Sequence, residues 1–539
     1  MTKRLLSLFV SAVLVMLPIS GCSKSSSKEM AFVSEIPEVY NLTEEQKIED
    51  FLEYYDTMVT SYPSIQNEKD LLGLDFAGKK DFYIEEIKKA KSDFQFYVTM
   101  RAIARQPHSA HSGILFPNKN FLAHWPVNSM YLESIVGLEE QQVKWREYLA
   151  NKFLELGSLY ESMDTSFLSA EYIDGQYLIS FADSSDKLSI YDNYTIKSIN
   201  GDLPLNFVKN HLILEDRKYD FKRDTIYIDS IEFNDKIGEE VKLEMQSPDG
   251  KIIKKKFRYS LDTPYRDVKI NLTPKKNVEK EDKSDIIYSY ADKENNLGYL
   301  CIDAMEDGDS AATQLRSCFN DIKNFDNIIV DLRRNSGGST LFMKEVFYSL
   351  FYTDDVEEIL KADMPKTLKN ETCLSEYDYM ESTFNSTLEG NTYHFEEEPS
   401  QYSIYSGNSN NKRKKIYYLI GTDTCSSADR FATLVKDKNL GTVIGQNTYG
   451  EGANIGRNML PLKNSRFIYM YNPFLGLNAD GTDNSIYGTI PHIYSELSLE
   501  DHKKKAEMGK KGIDIYEYAN MLSYDTVLNC CIEEIKKNA

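Results

Sequence analysis

One stretch constrains this chain more than any other: Ile416 to Gly452, IYYLIGTDTCSSADRFATLVKDKNLGTVIGQNTYGEG. Ile416 to Ile420 are all apolar or aromatic and end at Gly421. So short and apolar a run fits a buried strand. A tight polar turn follows, Thr422 to Ser427, and then Ala428, Phe431, Ala432 and Val435 recur at helical spacing. Gly441 ends that helix, and Thr442 to Ile444 starts another strand. A serine at a strand-to-helix turn has its hydroxyl exposed above the sheet, with backbone N–H groups aimed at the same spot. Acyl transfer needs that arrangement, a nucleophile beside donors that can hold a developing oxyanion. An isolated Ser-Ser pair would otherwise be read as a helix cap.

Upstream lies NIIVDLRRNSGGST, Asn327 to Thr340, in which the strand Ile328 to Val330 runs into a polar, Gly-rich turn. Together the two stretches resemble the C-terminal processing peptidases, or tail-specific proteases, and their tricorn and interphotoreceptor retinoid-binding protein relatives. Those families carry a strand followed by DLRxNxGG, then the serine turn, then TxGxG. The counterparts here are Asp331, Leu332, Arg333, Asn335, Gly337 and Gly338, then Ser426, then Thr448, Gly450 and Gly452. The resemblance runs from roughly Asp285 to Glu496. It implies a mixed α/β chain with a ClpP/crotonase-like protease core, acting as a serine peptidase without a cofactor.

Residue by residue, the resemblance makes Ser426 the nucleophile, with Ser427 the runner-up. In the C-terminal processing branch a lysine follows the third residue of the TxG turn; here that position is Glu451. A carboxylate cannot serve as a buried neutral amine does, which sets the Ser–Lys dyad aside. The tricorn-like Ser–His branch carries its base histidine in a D-x-H-[ST] turn. SAHSGI, Ser109 to Ile114, fits that turn best and makes His111 the base, with His108 the alternative; Ser109 stands where the family has its acid. Imidazole titrates near neutrality and can take and return the proton. A carboxylate should orient it. The family's glutamate position, ahead of a G-x-x-P-D turn, falls near Ser485 in front of Gly488-Thr-Ile-Pro-His492. Asp483 is the nearest carboxylate, and Glu451 is a second candidate. The oxyanion donors are expected to be the backbone N–H groups of Gly337 and Ser427.

The chain begins with Lys3 and Arg4, an apolar run from Leu5 to Leu17, and Pro18-Ile-Ser-Gly-Cys22. A basic start and a short apolar run describe a secretory leader; a membrane span would need about 20 apolar residues. Small residues directly before Cys22 resemble a bacterial lipobox, which implies cleavage before Cys22 and lipid on its thiol. Residues 1–22 would then be a lipoprotein signal and 23–40 a tether, placing the body outside the cytoplasm on a membrane of a bacterial envelope.

Length and composition suit several packed cores: 539 residues, 41% apolar, 12% aromatic with 37 Tyr. A net charge of −21 argues against nucleic acid as a partner, since that needs a basic footprint. Seven cysteines, Cys22 among them, show no CxxC pair and no metal-ligand spacing, so no metal site is expected.

Residues 41–150 read mainly helical: Thr43-x-x-Gln46 is a capping-box pattern, and Ile48, Phe51, Leu52, Tyr55 and Val59 share a face until Pro63. Residues 170–265 read as β-rich. Ser247-Pro-Asp-Gly250 marks a hairpin, and Ile199-Asn-Gly-Asp-Leu-Pro-Leu205 resembles a turn of PDZ modules, which bind a peptide end as an added strand. An all-β spacer without a groove is the other reading. The core, 285–500, carries a polar insertion at 352–415, either a lid or disordered surface. Residues 501–539 read as helices with solvated charged faces. The function expected is endoproteolysis of exported or unfolded peptides through an acyl-enzyme. The alternative is a non-catalytic peptide-binding lipoprotein on the same scaffold.

Overall fold

The computed structural model describes residues 40–117, 132, 135–181, 187–261, 286–306, 308–375, 383–453 and 455–538. The leader expected at residues 1–22, with Cys22, lies outside the described residues, as does the expected tether up to residue 39. No helix among the described residues is long and apolar enough to cross a membrane. Cys301, Cys318, Cys425, Cys530 and Cys531 carry free thiols.

At the centre is a six-stranded sheet. Its strands run in the order Ile287–Asp292, Leu297–Ile302, Asn327–Asp331, Lys415–Ile420, Thr442–Gly445 and Ile493–Tyr494. The first pair is antiparallel and every later pair parallel. The apolar runs have a simple cause: both faces are covered. Ile328, Val330, Ile416, Tyr418 and Ile420 pack under the helices Asp309–Ile322 and Ser427–Asp437. The intervening Ile329, Tyr417 and Leu419 pack with Tyr299, Cys301 and Ile444 against the last helix, Thr526–Lys537. That helix buries Val527, Leu528, Cys531, Ile532 and Ile535 while Lys536 and Lys537 stay in solvent, so its amphipathic face closes the sheet. Arg333 fastens it, pairing with Asp331 beside it and with the helix-capping Asp525 at 2.8 Å.

The N-terminal region is helical, with Glu44–Ser61, Lys80–Lys89, Asp93–Ala104 and Leu138–Ser162. Thr43 and Gln46 form the capping box, and the first helix ends at Tyr62, ahead of Pro63. Phe51, Tyr54, Met58, Phe96, Tyr97 and Trp145 share one apolar cluster with Phe467, Tyr469 and Tyr471 of the core. The short strand Gly113–Ile114 pairs with Ile468–Tyr471, Gly113 opposite Met470. The segment before that strand is therefore pinned from both sides. It contains His108 and His111.

Residues 167–259 form a closed barrel in the order Phe167–Ile173, Gln176–Phe181, Thr195–Ile199, Glu239–Gln246, Ile252–Tyr259, Ser230–Asn234. The Ser247–Gly250 turn joins its longest ladder. The insertion folds: Lys361–Pro365, Phe384–Glu389 and Thr392–Glu397 form a sheet with Leu475–Gly476. Its polarity hid this, because Phe384–Glu389 lies open to solvent beyond its first residue. Glu358 of the insertion pairs with Arg430 of the Ser427–Asp437 helix at 2.8 Å.

Candidate active site

Ser426 sits between the strand Lys415–Ile420 and the helix Ser427–Asp437 with φ 55° and ψ −128°. Few residues other than glycine adopt such a backbone, which costs about 1–3 kcal/mol and persists only where the surroundings enforce it. Here they do. Thr424 donates its hydroxyl to the carbonyl of Leu332 (2.8 Å), and the N–H of Cys425 donates to Asn335 (3.1 Å). The N–H of Ser426 donates to the carbonyl of Gly450 (3.0 Å), and its own carbonyl accepts from Arg430 (2.9 Å). The neighbouring hydroxyl is spent: Ser427 Oγ donates to the carbonyl of Gly338 (3.0 Å) and Ser427 is buried.

The Gly-rich turn lies against Ser426. Gly337 has φ 105°, and a Cβ there would stand 2.8 Å from the Cβ of Ser426 and 3.1 Å from the nitrogen of Ser427. A side chain is therefore excluded twice, by space and by conformation. Gly337 was expected to lend its N–H to an oxyanion, but that N–H donates to Asn335 Oδ1 at 2.8 Å. Asn335 is fully buried and anchored in turn by donating to the carbonyl of Ile302 (3.0 Å). Among the described residues, the backbone N–H groups of Ser427 and Gly338 have no hydrogen-bond acceptor.

His111 is buried, and its Nδ1 lies 3.3 Å from Oε2 of Glu451, whose side chain is closed off from solvent. Ser109 completes the arrangement: its hydroxyl donates to Glu451 Oε1 (2.7 Å) and accepts from the backbone N–H of His111 (3.2 Å). The serine standing in for an acid thus holds the carboxylate that faces the histidine. Burial, followed by the charge of Arg457, pushes His111 below the usual histidine range, with Glu451 opposing. Burial alone would raise Glu451, but hydrogen bonds from His111 and Ser109 hold it below the ordinary carboxylate value. At neutral pH the pair is a neutral imidazole on an ionised carboxylate.

The other candidates stand elsewhere. Asp483 was expected to orient the base; its carboxylate instead caps the short helix Asn484–Tyr487, accepting from the N–H of Ser485 (2.9 Å) and from Asn67 Nδ2 (3.0 Å). Burial raises it to about 6. His108 is also buried. Its Nδ1 meets the carbonyl of Arg217 (2.7 Å), its N–H donates to Glu68 (3.0 Å), and its ring stacks on Tyr449 with centroids 4.5 Å apart. His492 Nδ1 accepts from the N–H of Val443 (3.0 Å) at the sheet edge. Among the described residues no three His, Cys, Asp or Glu side chains gather as a metal site.

Residues 296–495 match peptidase family S41. The S41 segment takes in the Gly-rich turn, the Ser426 turn and Glu451, and supports a serine peptidase. No curated protein matches the chain. Similar solved structures include mature CPAF complexed with lactacystin, at 13% identity over 87% of this chain and 98% of that one, TM-score 0.49. The photosystem II D1 C-terminal processing protease is 12% identical over 84% of this chain and 93% of that one, TM-score 0.32. The tricorn protease is 15% identical over 83% of this chain and 36% of that one, TM-score 0.28.

Proposed function

We propose that the chain is a serine endopeptidase working through Ser426, His111 and Glu451. The observation that carries the reading is the turn Thr448–Gly452. Its Gly450 carbonyl holds the backbone of Ser426 in its strained conformation, and its Glu451 carboxylate faces His111. One turn thereby fixes the nucleophile's backbone and the orienter of the base.

In this mechanism Glu451 accepts from Nδ1–H of His111, which leaves Nε2 as the proton acceptor. His111 takes the proton of Ser426 Oγ as that oxygen bonds to the scissile carbonyl carbon. Negative charge then develops on the carbonyl oxygen, and the N–H groups of Ser427 and Gly338 are the donors for it. His111 returns the proton to the leaving amine and the C–N bond breaks, giving an acyl-serine. Water, deprotonated by His111, attacks the acyl carbon; the bond to Ser426 Oγ breaks, His111 returns the proton to that oxygen, and the acid is released.

The substrates proposed are exported or unfolded peptides. A lipid on Cys22 tethers the enzyme to the outer face of a bacterial membrane; Lys3, Arg4, the Leu5–Leu17 run and Ser20-Gly21 before Cys22 support this. The test is cleavage of an unfolded reporter by the chain lacking residues 1–22. Turnover abolished by Ser426→Ala fits the proposal. Tight reporter binding without turnover, unchanged by that substitution, points to the non-catalytic peptide-binding reading instead.

A further inference from the structure

Asp429 lies in the first turn of the Ser427–Asp437 helix and is fully buried, yet among the described residues no cation pairs with it. Its carboxylate gathers neutral donors from two other segments. Oδ1 accepts from the hydroxyl of Thr448, and from Thr489 through both its N–H (3.0 Å) and its hydroxyl (2.8 Å). Oδ2 accepts from the N–H of Gly452 (3.1 Å) and from Asn484 Nδ2 (2.9 Å). Asn484 in turn accepts from the N–H groups of Gly452 (2.8 Å) and Ala453 (3.0 Å). Thr448 and Gly452 are the two ends of the turn that carries Gly450 and Glu451.

The packing leaves that turn no slack. A Cβ on Gly452 would stand 2.3 Å from the nitrogen of Arg430 and 2.5 Å from Asp429 Oδ2. One on Gly450 would stand 2.3 Å from the carbonyl oxygen of Asn484. Burying a carboxylate is costly unless its lone pairs are filled, and here neutral donors from outside its own helix fill them. A helix cap alone would need only donors from its own helix.

From this geometry we infer that Asp429 is a positioning residue for the reaction: it locks the Thr448–Gly452 turn to the Ser426 helix and so sets Glu451 and His111 at a fixed place relative to Ser426. It does not touch the reacting atoms, and the inference rests on the Ser426–His111–Glu451 reading. An isosteric Asp429→Asn turns an amide NH₂ towards donors and loosens the turn. A misplacement of about 1 Å at such a site costs on the order of 100-fold in rate.

The experiment is a kinetic cycle on the chain lacking residues 1–22, with folding checked by circular dichroism. Asp429→Asn should lower kcat by about 100-fold with KM within about twofold, and slow fluorophosphonate labelling of Ser426 by the same factor. Because Asp429 acts through Glu451, Asp429→Asn combined with Glu451→Gln should lose little more than Glu451→Gln alone. Thr448→Val, which removes one donor and keeps the carboxylate, should give a smaller loss with the same non-additivity. A kcat within twofold of wild type in both Asp429→Asn and Thr448→Val, or losses that multiply with Glu451→Gln, overturns the inference and leaves the triad intact. Turnover that survives Ser426→Ala, or a Glu451→Gln enzyme within tenfold of wild type, overturns the triad itself.

Discussion

Replacing Glu451 by glutamine is the most informative single perturbation of the site. The carboxylate stands 3.3 Å from His111 Nδ1, with both side chains at most 8% exposed. When His111 takes the serine proton, an imidazolium forms beside that carboxylate. At an effective dielectric of about 20, charges at this separation attract by roughly 5 kcal/mol. Losing that stabilisation corresponds to about 10³- to 10⁴-fold in kcat, at 1.36 kcal/mol per tenfold. The tautomer works in the same direction. With Oε1 kept on the Ser109 hydroxyl, glutamine turns its NH₂ towards Nδ1, and the proton then sits on Nε2, which can no longer accept. The amide can also turn over, because Ser109 has Ser112 Oγ as another acceptor at 3.1 Å; the charge is lost even then. The assay is hydrolysis of a fluorogenic unfolded substrate at pH 7.5, with circular dichroism as the fold control. A Glu451→Gln enzyme within tenfold of wild type would refute the orienting role.

Other expectations follow from the same geometry. Asp483→Asn should retain activity within about threefold, since Asp483 caps a helix and asparagine caps equally well. Asp483 is raised in the folded state to about 6 from 3.8, so its favourable contribution is full below pH 3.8 and is lost as pH rises through 6. Asp483→Asn should therefore raise Tm relative to wild type at pH 7.5 and not at pH 4; a lower Tm at pH 7.5 would contradict this. Gly337→Ala should cost at least about 100-fold in kcat, because the new methyl meets the Cβ of Ser426 and Cys425 O; near-normal turnover would show that the turn tolerates displacement. The acid limb of kcat/KM should have its midpoint below 6.5, because burial and Arg457 favour neutral His111. A midpoint above 7 would point to a different base.

Much of the core was legible because two periodicities dominate it. Ile416–Ile420 alternates between two buried faces, and Ala428, Phe431, Ala432 and Val435 keep helical spacing beneath the sheet. Gly337 and Gly338 were readable as a turn for the same reason that they are required: no side chain fits. Spacing could not separate His111 from His108. They differ by a tertiary contact, the one with Glu451 and the other with the Arg217 carbonyl, and both partners are far away in the chain. Asp483 was chosen because it lies closest in sequence to the expected acid, whereas its carboxylate folds back onto its own helix. Glu451 stood out as a misfit where a lysine was expected and stood second to Asp483 as the orienting acid. The strain at Ser426 had no sequence signal, because no glycine flanks it and its conformation is imposed by Asn335 and Gly450. Similarly, an asparagine that absorbs the Gly337 N–H cannot be read from a DLRRNSGG string.

The most direct test of the central claim is to treat the chain lacking residues 1–22 with a fluorophosphonate probe and locate the adduct by mass spectrometry. The account predicts one adduct, on Ser426, that disappears in His111→Ala and persists in His108→Gln. An adduct on Ser427, or one on Ser426 that survives His111→Ala and is lost only when a lysine is replaced, would contradict it.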